Sequence, residues 1–174
     1  MDLDDLVHEE GKPNSPGQST IIYGIFSTSK SAAMVLDEDR NVTSVPLVES
    51  VTWKKQYGTD GTIEIKDTME GENDCRSWTS QLSFFYPGNK AAALKHFGNW
   101  TNSAGYLITR DCATGEERIL GTDCRPARMT VAEITSGGDK RGCTITFESK
   151  GNGYPAYVYT GTSPSETGSG SGAA

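Results

Sequence analysis

The chain has 174 residues, of which 34% are hydrophobic and 20 are glycine, and its formal net charge is −7. This length is sufficient for one domain with a real core, whereas the acidic balance argues against a surface that grips duplex nucleic acid by its phosphates. No apolar run approaches the ~18–20 residues that span a bilayer, and the acidic start MDLDDLVHEE is the reverse of a signal peptide. We therefore expect synthesis in the cytoplasm and no membrane partner.

Residues 1–19 form an N-terminal arm in this interpretation. Acidic residues alternate with Leu3, Leu6 and Val7, and Pro13 and Pro16 then interrupt the segment. Two interpretations remain open. The arm is a disordered tail, or its three apolar residues form a stripe that docks on a partner subunit and becomes ordered there.

The next stretch predicts a series of β-strands. Ile21–Ser27 is apolar on both faces, as in a buried central strand. Asp60-Gly61 between two β runs predicts a hairpin that joins Val51–Tyr57 to Thr62–Lys66. The polar segment Asp67–Asp74 predicts a surface loop with solvated acids. Two further β runs, Ala33–Leu36 and Val42–Val51, lie between Ile21–Ser27 and the hairpin.

The centre of the chain places a strand signal directly before a helix signal. Trp78–Tyr86 alternates, with an apolar set at the even positions. Pro87-Gly88 ends the strand, Asn89 is the predicted N-cap, and Lys90–Phe97 has helical spacing before a glycine. The sequence therefore predicts one short helix after a long strand.

The remaining strands follow in order. Tyr106–Arg110 and Glu117–Gly121 predict a second hairpin. Ala127–Thr135 alternates, Ser136–Arg141 predicts a turn, and Cys143–Phe147 alternates again. Beyond the last predicted strand, Tyr154–Tyr159, the Gly/Ser-rich end predicts a flexible tail. The expected organisation is an arm at 1–19, a β-rich domain at 20–161 and a tail at 162–174.

The predicted core combines the apolar faces of the strands with that of the helix. Its members are Trp78, Leu82, Phe84, Ala93, Leu94, Phe97, Ile145 and Phe147.

The sequence offers little catalytic chemistry. Its two histidines, His8 and His96, have no Cys or carboxylate at metal-ligand spacing, and no phosphate-binding, nucleophile-elbow or zinc-protease motif occurs. The four cysteines form no CxxC pair, and we expect them to act as small buried hydrophobes. We predict no enzymatic activity, no metal and no cofactor.

Several segments together resemble the tail tube protein of long-tailed bacteriophages and their prophages. They are Ser77-Trp78 with the acid-glycine loop before it, Phe84–Gly88, 91-AAALKHF-97, 121-GTDCRPARM-129, 140-KRGCTITFES-149 and 155-PAYVYTG-161. The resemblance covers about residues 20–161. It assigns no role to the Gly/Ser-rich end.

The resemblance implies a mainly β fold: a β-sandwich or barrel with one short flanking α-helix. It also implies a homo-oligomer of stacked hexameric rings around a channel for genomic DNA, which passes without specific binding. The chain would be assembled in the host cytoplasm and reside in the virion tail with other tail proteins. An acidic channel wall would repel the DNA backbone. The expected inter-subunit contacts are Leu3, Leu6, Val7, Met69 and Glu70.

Two alternatives remain at this point. A tail completion or head-to-tail connector subunit would share the same fold. A small β-sandwich module could instead bind a glycan or peptide through exposed aromatics such as Trp53 or Trp100, although Trp53, Trp78 and Trp100 are more typical of core or interface anchors.

Overall fold

The structure, a computed structural model, describes residues 17–164. It is mainly β with one helix, which confirms the predicted fold class. Besides a 3-10 turn at Ser27–Ser29, its elements are β1 (Ile21–Phe26), β2 (Val35–Leu36), β3 (Val42–Ser44), β4 (Lys54–Tyr57), β5 (Glu64–Glu70), β6 (Ser77–Pro87), α1 (Ala91–Asn99), β7 (Ala104–Arg110), β8 (Glu117–Leu120), β9 (Ala127–Ser136), β10 (Arg141–Asn152) and β11 (Tyr157–Tyr159).

The sheet divides into two layers at β7. The start of β7 pairs with β9, whereas its later residues pair with β8 and, on the other edge, with β1. One side continues as β9-β10-β6-β5, the four-stranded layer, and the other comprises β4-β1-β7-β8-β11-β3-β2, the seven-stranded layer. The sheet does not close into a barrel.

The main core lies between these layers and under the helix. Ile22 and Leu107 of the seven-stranded layer belong to the same buried cluster as Leu82 and Ile145 of the four-stranded layer. Trp100, just after α1, contacts Phe147 with a ring-centroid distance of 4.9 Å. Because each strand alternates its side chains, one face of each layer supplies this cluster.

Six of the eight predicted core residues lie in that cluster: Leu82, Phe84, Ala93, Phe97, Ile145 and Phe147. Trp78 is only half-buried, at the start of β6. The prediction for Leu94 is wrong, because this side chain is 42% exposed. Its helical spacing matches that of Ala93 and Phe97, but the four-stranded layer contacts only the face that carries those two residues.

The predicted central strand β1 is confirmed. β1 pairs with β4 on one edge and β7 on the other. Ile22 faces the main core, whereas Tyr23 and Ile25 join a second buried cluster on the opposite face of the seven-stranded layer. Burial on both faces explains why the strand lacks polar alternation.

The predicted hairpin at Asp60-Gly61 is wrong. Within residues 17–164, β4 pairs only with β1, and β5 pairs only with β6. Gly58 N–H donates to Thr20 at 2.9 Å, whereas Thr59 N–H donates to Phe85 at 2.8 Å. The turn therefore carries the chain from one layer to the other, although Gly61 does adopt a positive φ of 76°.

Other boundaries also differ from the predictions. Asp67–Glu70 belongs to β5 and is not a loop. The N-cap of α1 is Lys90 in place of Asn89, and it makes no side-chain capping bond. The hairpin of β7 and β8 is confirmed by their antiparallel register.

Both ends of the described region lie against the body. Ser19 N–H donates to Arg110 at 2.7 Å, and the Ser163 hydroxyl donates to Glu117 Oε1 at 2.6 Å. The predicted arm therefore joins the domain by residue 17. Leu3, Leu6 and Val7, and the tail from residue 165 on, lie outside the described residues.

Candidate assembly surface

The outer face of the four-stranded layer is polar. Directly opposed residues of antiparallel strands share a face, so the register places Gln81 of β6 beside Glu148 of β10 and Lys66 of β5. Gln81 Nε2 donates to Glu148 Oε2 at 2.8 Å. We call this surface the polar face, and its register positions are Glu64, Lys66, Thr68, Glu70, Thr79, Gln81, Ser83, Phe85, Arg128, Val131, Glu133, Thr144, Thr146 and Glu148.

The polar face is weakly acidic. Its carboxylates are Glu64, Glu70, Glu133 and Glu148. The basic side chains in register are Lys66 and Arg128, and Lys150 reaches the face from beside it, with Nζ 3.0 Å from Glu148 Oε1. Four carboxylates against three cations leave a small negative excess, which is weaker than the acidity of the whole chain.

The same layer has an unpaired edge on each side. β5 has β6 as its only strand neighbour within residues 17–164, so its other edge is open. Among the described strands, β9 pairs with β7 only through Ala127 and Arg128, and from residue 129 to 136 it pairs with β10 alone. We call these borders the β5 edge, residues 64–70, and the β9 edge, residues 129–136. Each leaves backbone donors and acceptors available to another strand.

Exposed apolar residues lie at both edges. Ile134 at the β9 edge is 46% exposed, and Met69 at the β5 edge is 48% exposed. Ile134 lies opposite the buried Cys143, and Met69 lies opposite Trp78, so both are on the core-facing side of the layer. The apolar side of the layer therefore extends past its own core at each border. Sequence reasoning named Met69 as an inter-subunit contact on a loop, and the structure places it on a strand edge.

A half-buried ion pair holds the β5 edge to the seven-stranded layer. Arg118 Nη2 of β8 lies 2.5 Å from Asp67 Oδ2. Asp67 Oδ1 accepts hydrogen bonds from Ser80 Oγ at 2.5 Å and Ala156 N–H at 2.9 Å. Burial acts to raise the pKa of Asp67, but the bonds from Ala156, Ser80 and Arg118 outweigh it, so the pKa lies below its ordinary value. The sequence interpretation of this acid as solvated is wrong.

A second surface lies between α1 and the edge strand β4. Two cavities of about 210 Å³ and about 300 Å³ open there, and Gln56 and His96 line both. Gln56 is only 5% exposed, and neither its amide nitrogen nor its amide oxygen has a partner among the described residues. Burial lowers the pKa of His96, and its Nε2 also lacks a partner there. We call this surface the helix groove.

The other predicted functional side chains do not converge. Trp100 is 3% exposed, so its ring is not available to bind a glycan at the surface. Trp53 is half-buried. Cys75, Cys112 and Cys124 are exposed, so the expectation of four buried cysteines holds for Cys143 alone. The prediction failed because those three cysteines lie in turns or at strand ends.

Within residues 17–164, no three His, Cys, Asp or Glu side chains are grouped closely enough to hold a metal ion. No helix in this range is long and apolar enough to cross a membrane.

The free strand edges could not be predicted from the sequence, because an edge is defined by which strands pair with each other. The alternation of Ala127–Thr135 predicted a strand, but the exposed Ile134 and Val131 carried no signal of an edge.

Comparison with protein-family models, with curated proteins and with solved structures found no match to this chain.

Proposed function

We propose that the chain is a tail tube subunit of a long-tailed bacteriophage or prophage. In this role it forms hexameric rings that stack around a channel through which genomic DNA passes. The role is structural and requires neither catalysis nor a cofactor. The observation that carries the proposal is the four-stranded layer, with one open edge on each side and a polar outer face.

Two open edges on one layer favour a ring. The β5 edge of one subunit and the β9 edge of the next are different surfaces, so their contact is head-to-tail and closes into a ring when the rotation per subunit allows. Ring closure also removes the aggregation hazard of an unpaired edge. Met69 and Ile134 would then be buried between neighbouring subunits, which offsets their exposure in the single chain.

The polar face fits the inside of such a ring. Apart from the buried Thr79, its serine, threonine, glutamine and glutamate side chains would be hydrated beside a water-filled channel. The small acidic excess repels phosphate and supplies no clustered positive field on which DNA would stall. In this arrangement the main core and α1 lie outside the channel wall.

Contacts between rings are assigned to the N-terminal arm, including Leu3, Leu6 and Val7. Other tail proteins would meet the first and last rings. Deleting residues 1–15 should therefore leave the fold intact, since this segment precedes β1, and should prevent stacking.

Negative-stain electron microscopy and light scattering of the purified chain test the proposal together. Hollow tubes, or hexameric rings that stack at higher concentration, would support it. Rings that never stack would favour a connector or completion subunit. A monomer at every concentration would contradict it and favour a small binding module.

A further inference from the structure

We propose that in the free subunit the chain's own segment 2–10 docks in the helix groove, with Leu3, Leu6 and Val7 over the two cavities. This inference concerns the unassembled chain and does not depend on the tube proposal. It rests on the apolar cavities, the unpartnered Gln56 amide, the charges around the groove and the position at which the arm leaves the domain.

The groove provides apolar sites of side-chain size. The smaller cavity is lined in part by Phe26 and Trp100, and the larger by Ile21, Tyr86 and Phe97. Gly24 lies in the floor of the smaller one, where a Cβ would approach Gln56 Nε2 to 2.5 Å. A larger residue at position 24 would therefore displace the amide that separates the two cavities.

Gln56 identifies the kind of occupant. A buried primary amide without partners is costly, because it loses its hydrogen bonds to water and gains none. An extended or turning peptide supplies both a carbonyl acceptor and an N–H donor, which match the two ends of the amide. β4 adds a second recognition element, since its edge away from β1 is unpaired within the described residues.

Charge complementarity selects the segment. Two exposed lysines of β4, Lys54 and Lys55, line the cavities, and two further exposed lysines belong to the helix that borders the groove: Lys90 at its N-cap and Lys95 within it. None of them forms an ion pair with a described residue. Segment 2–10 carries five acids and no lysine or arginine, and its apolar residues are Leu3, Leu6 and Val7. In the docked segment, the acidic side chains would lie beside the lysines and the apolar side chains would cover the cavities. The segment therefore matches both the charge of the groove and its apolar lining.

Chain connectivity places the segment within reach. Gly17 is the first described residue, and Ile21, four positions later, already lines the larger cavity. The six residues 11–16 can span up to about 20 Å, at ~3.3 Å per extended residue. A tether of this length keeps the segment at a high effective concentration beside its own groove. The same chain is therefore favoured over a second copy as its source.

Site-specific photo-crosslinking of the full chain tests the docking. The chain would carry p-benzoylphenylalanine in place of Leu6, and equal amounts of unlabelled and heavy-isotope protein would be mixed below the concentration at which the chain assembles. We expect crosslinks from position 6 to residues 54–57 or 92–100, with both linked peptides carrying the same isotope label. Crosslinks elsewhere, no crosslinked product, or mixed isotope pairs would overturn the proposal.

Charge variants provide the matched control. The triple variant Lys54→Glu, Lys55→Glu and Lys95→Glu should lower the crosslink yield at least fivefold, because the acids of segment 2–10 would then meet like charges. The three lysines are exposed, so reversing their charge should not disturb the core. The matched variant Lys140→Glu, Arg141→Glu and Lys150→Glu should leave the yield unchanged. Circular dichroism checks that both variants fold. Equal yields from the two variants would show that the lysines around the groove do not select the segment, and would overturn the proposal.

Discussion

At the residue scale, two neighbouring apolar side chains on α1 have opposite roles. Phe97 is 3% exposed, and its ring centroid lies 6.2 Å from that of Phe84 and 5.8 Å from that of Tyr86. Leu94 is 42% exposed and contributes little to this cluster. The stability of the helix therefore depends on one residue of the pair.

Alanine substitutions measure that difference. Phe97→Ala should lower the free energy of unfolding by about 3–5 kcal/mol, because it leaves a cavity between the helix and the four-stranded layer. Leu94→Ala should lower it by less than about 1 kcal/mol. Urea titration of the two variants against the parent chain checks both values. Similar losses for the two variants would contradict the burial assigned to Leu94.

The Asp67–Arg118 pair gives a pH-dependent prediction. Because the folded-state pKa of Asp67 is lowered, its stabilising effect is present above the unfolded-state value of about 3.9. The effect is lost as the pH falls through the folded-state pKa. Asp67→Asn should therefore cost about 1–3 kcal/mol at neutral pH and progressively less below about pH 4.

Denaturant titrations at several pH values check this prediction. Asp60→Asn is the matched control, since Asp60 is exposed in the turn before β5 and no hydrogen bond to its carboxylate is found in residues 17–164. Its difference from the parent chain should be small at neutral pH. A cost for Asp67→Asn that stays constant down to acid pH would contradict the assignment.

At the element scale, alternation predicted β6 and β9 closely, only the middle of β10, and the polar edge strand β5 poorly. β6 and β10 have one face in the main core, so their apolar residues recur at every second position. Every residue of β5 is exposed or half-buried. Its sequence therefore lacks apolar alternation from Asp67 to Glu70, and this part was predicted to be a loop. The neighbours of β4 and β5 could not be predicted, because the turn at Gly58–Gly61 connects two layers and its sequence signals only a reversal.

The two strand edges can be tested with single substitutions. Ile134→Arg or Met69→Arg should prevent association while leaving the monomer folded, because each places a charge where an edge-to-edge contact would bury it. Light scattering reports the association state and circular dichroism the fold.

Val48→Arg is the control for these variants. Val48 is 43% exposed and lies outside the four-stranded layer, so its substitution should leave association unchanged. If both edge variants associate like the parent chain, these edges are not the contacts between subunits.

At the scale of the whole molecule, composition and charge predicted an acidic chain, and the polar face, with its small acidic excess, supplies the channel wall of the tube proposal. A low apolar fraction is tolerable when neighbouring subunits bury each other's edges. The sequence could not show that the polar residues of four separated strands form one continuous face. That result depends on the register between β5, β6, β9 and β10, which long-range packing determines.

Cryo-electron microscopy of the assembled chain tests the central claim most directly. The account predicts backbone hydrogen bonds between the β5 edge of one subunit and the β9 edge of the next, with Gln81, Thr146 and Glu133 facing the channel. A reconstruction with the polar face on the outside of the assembly, or with both strand edges unpaired, would contradict it.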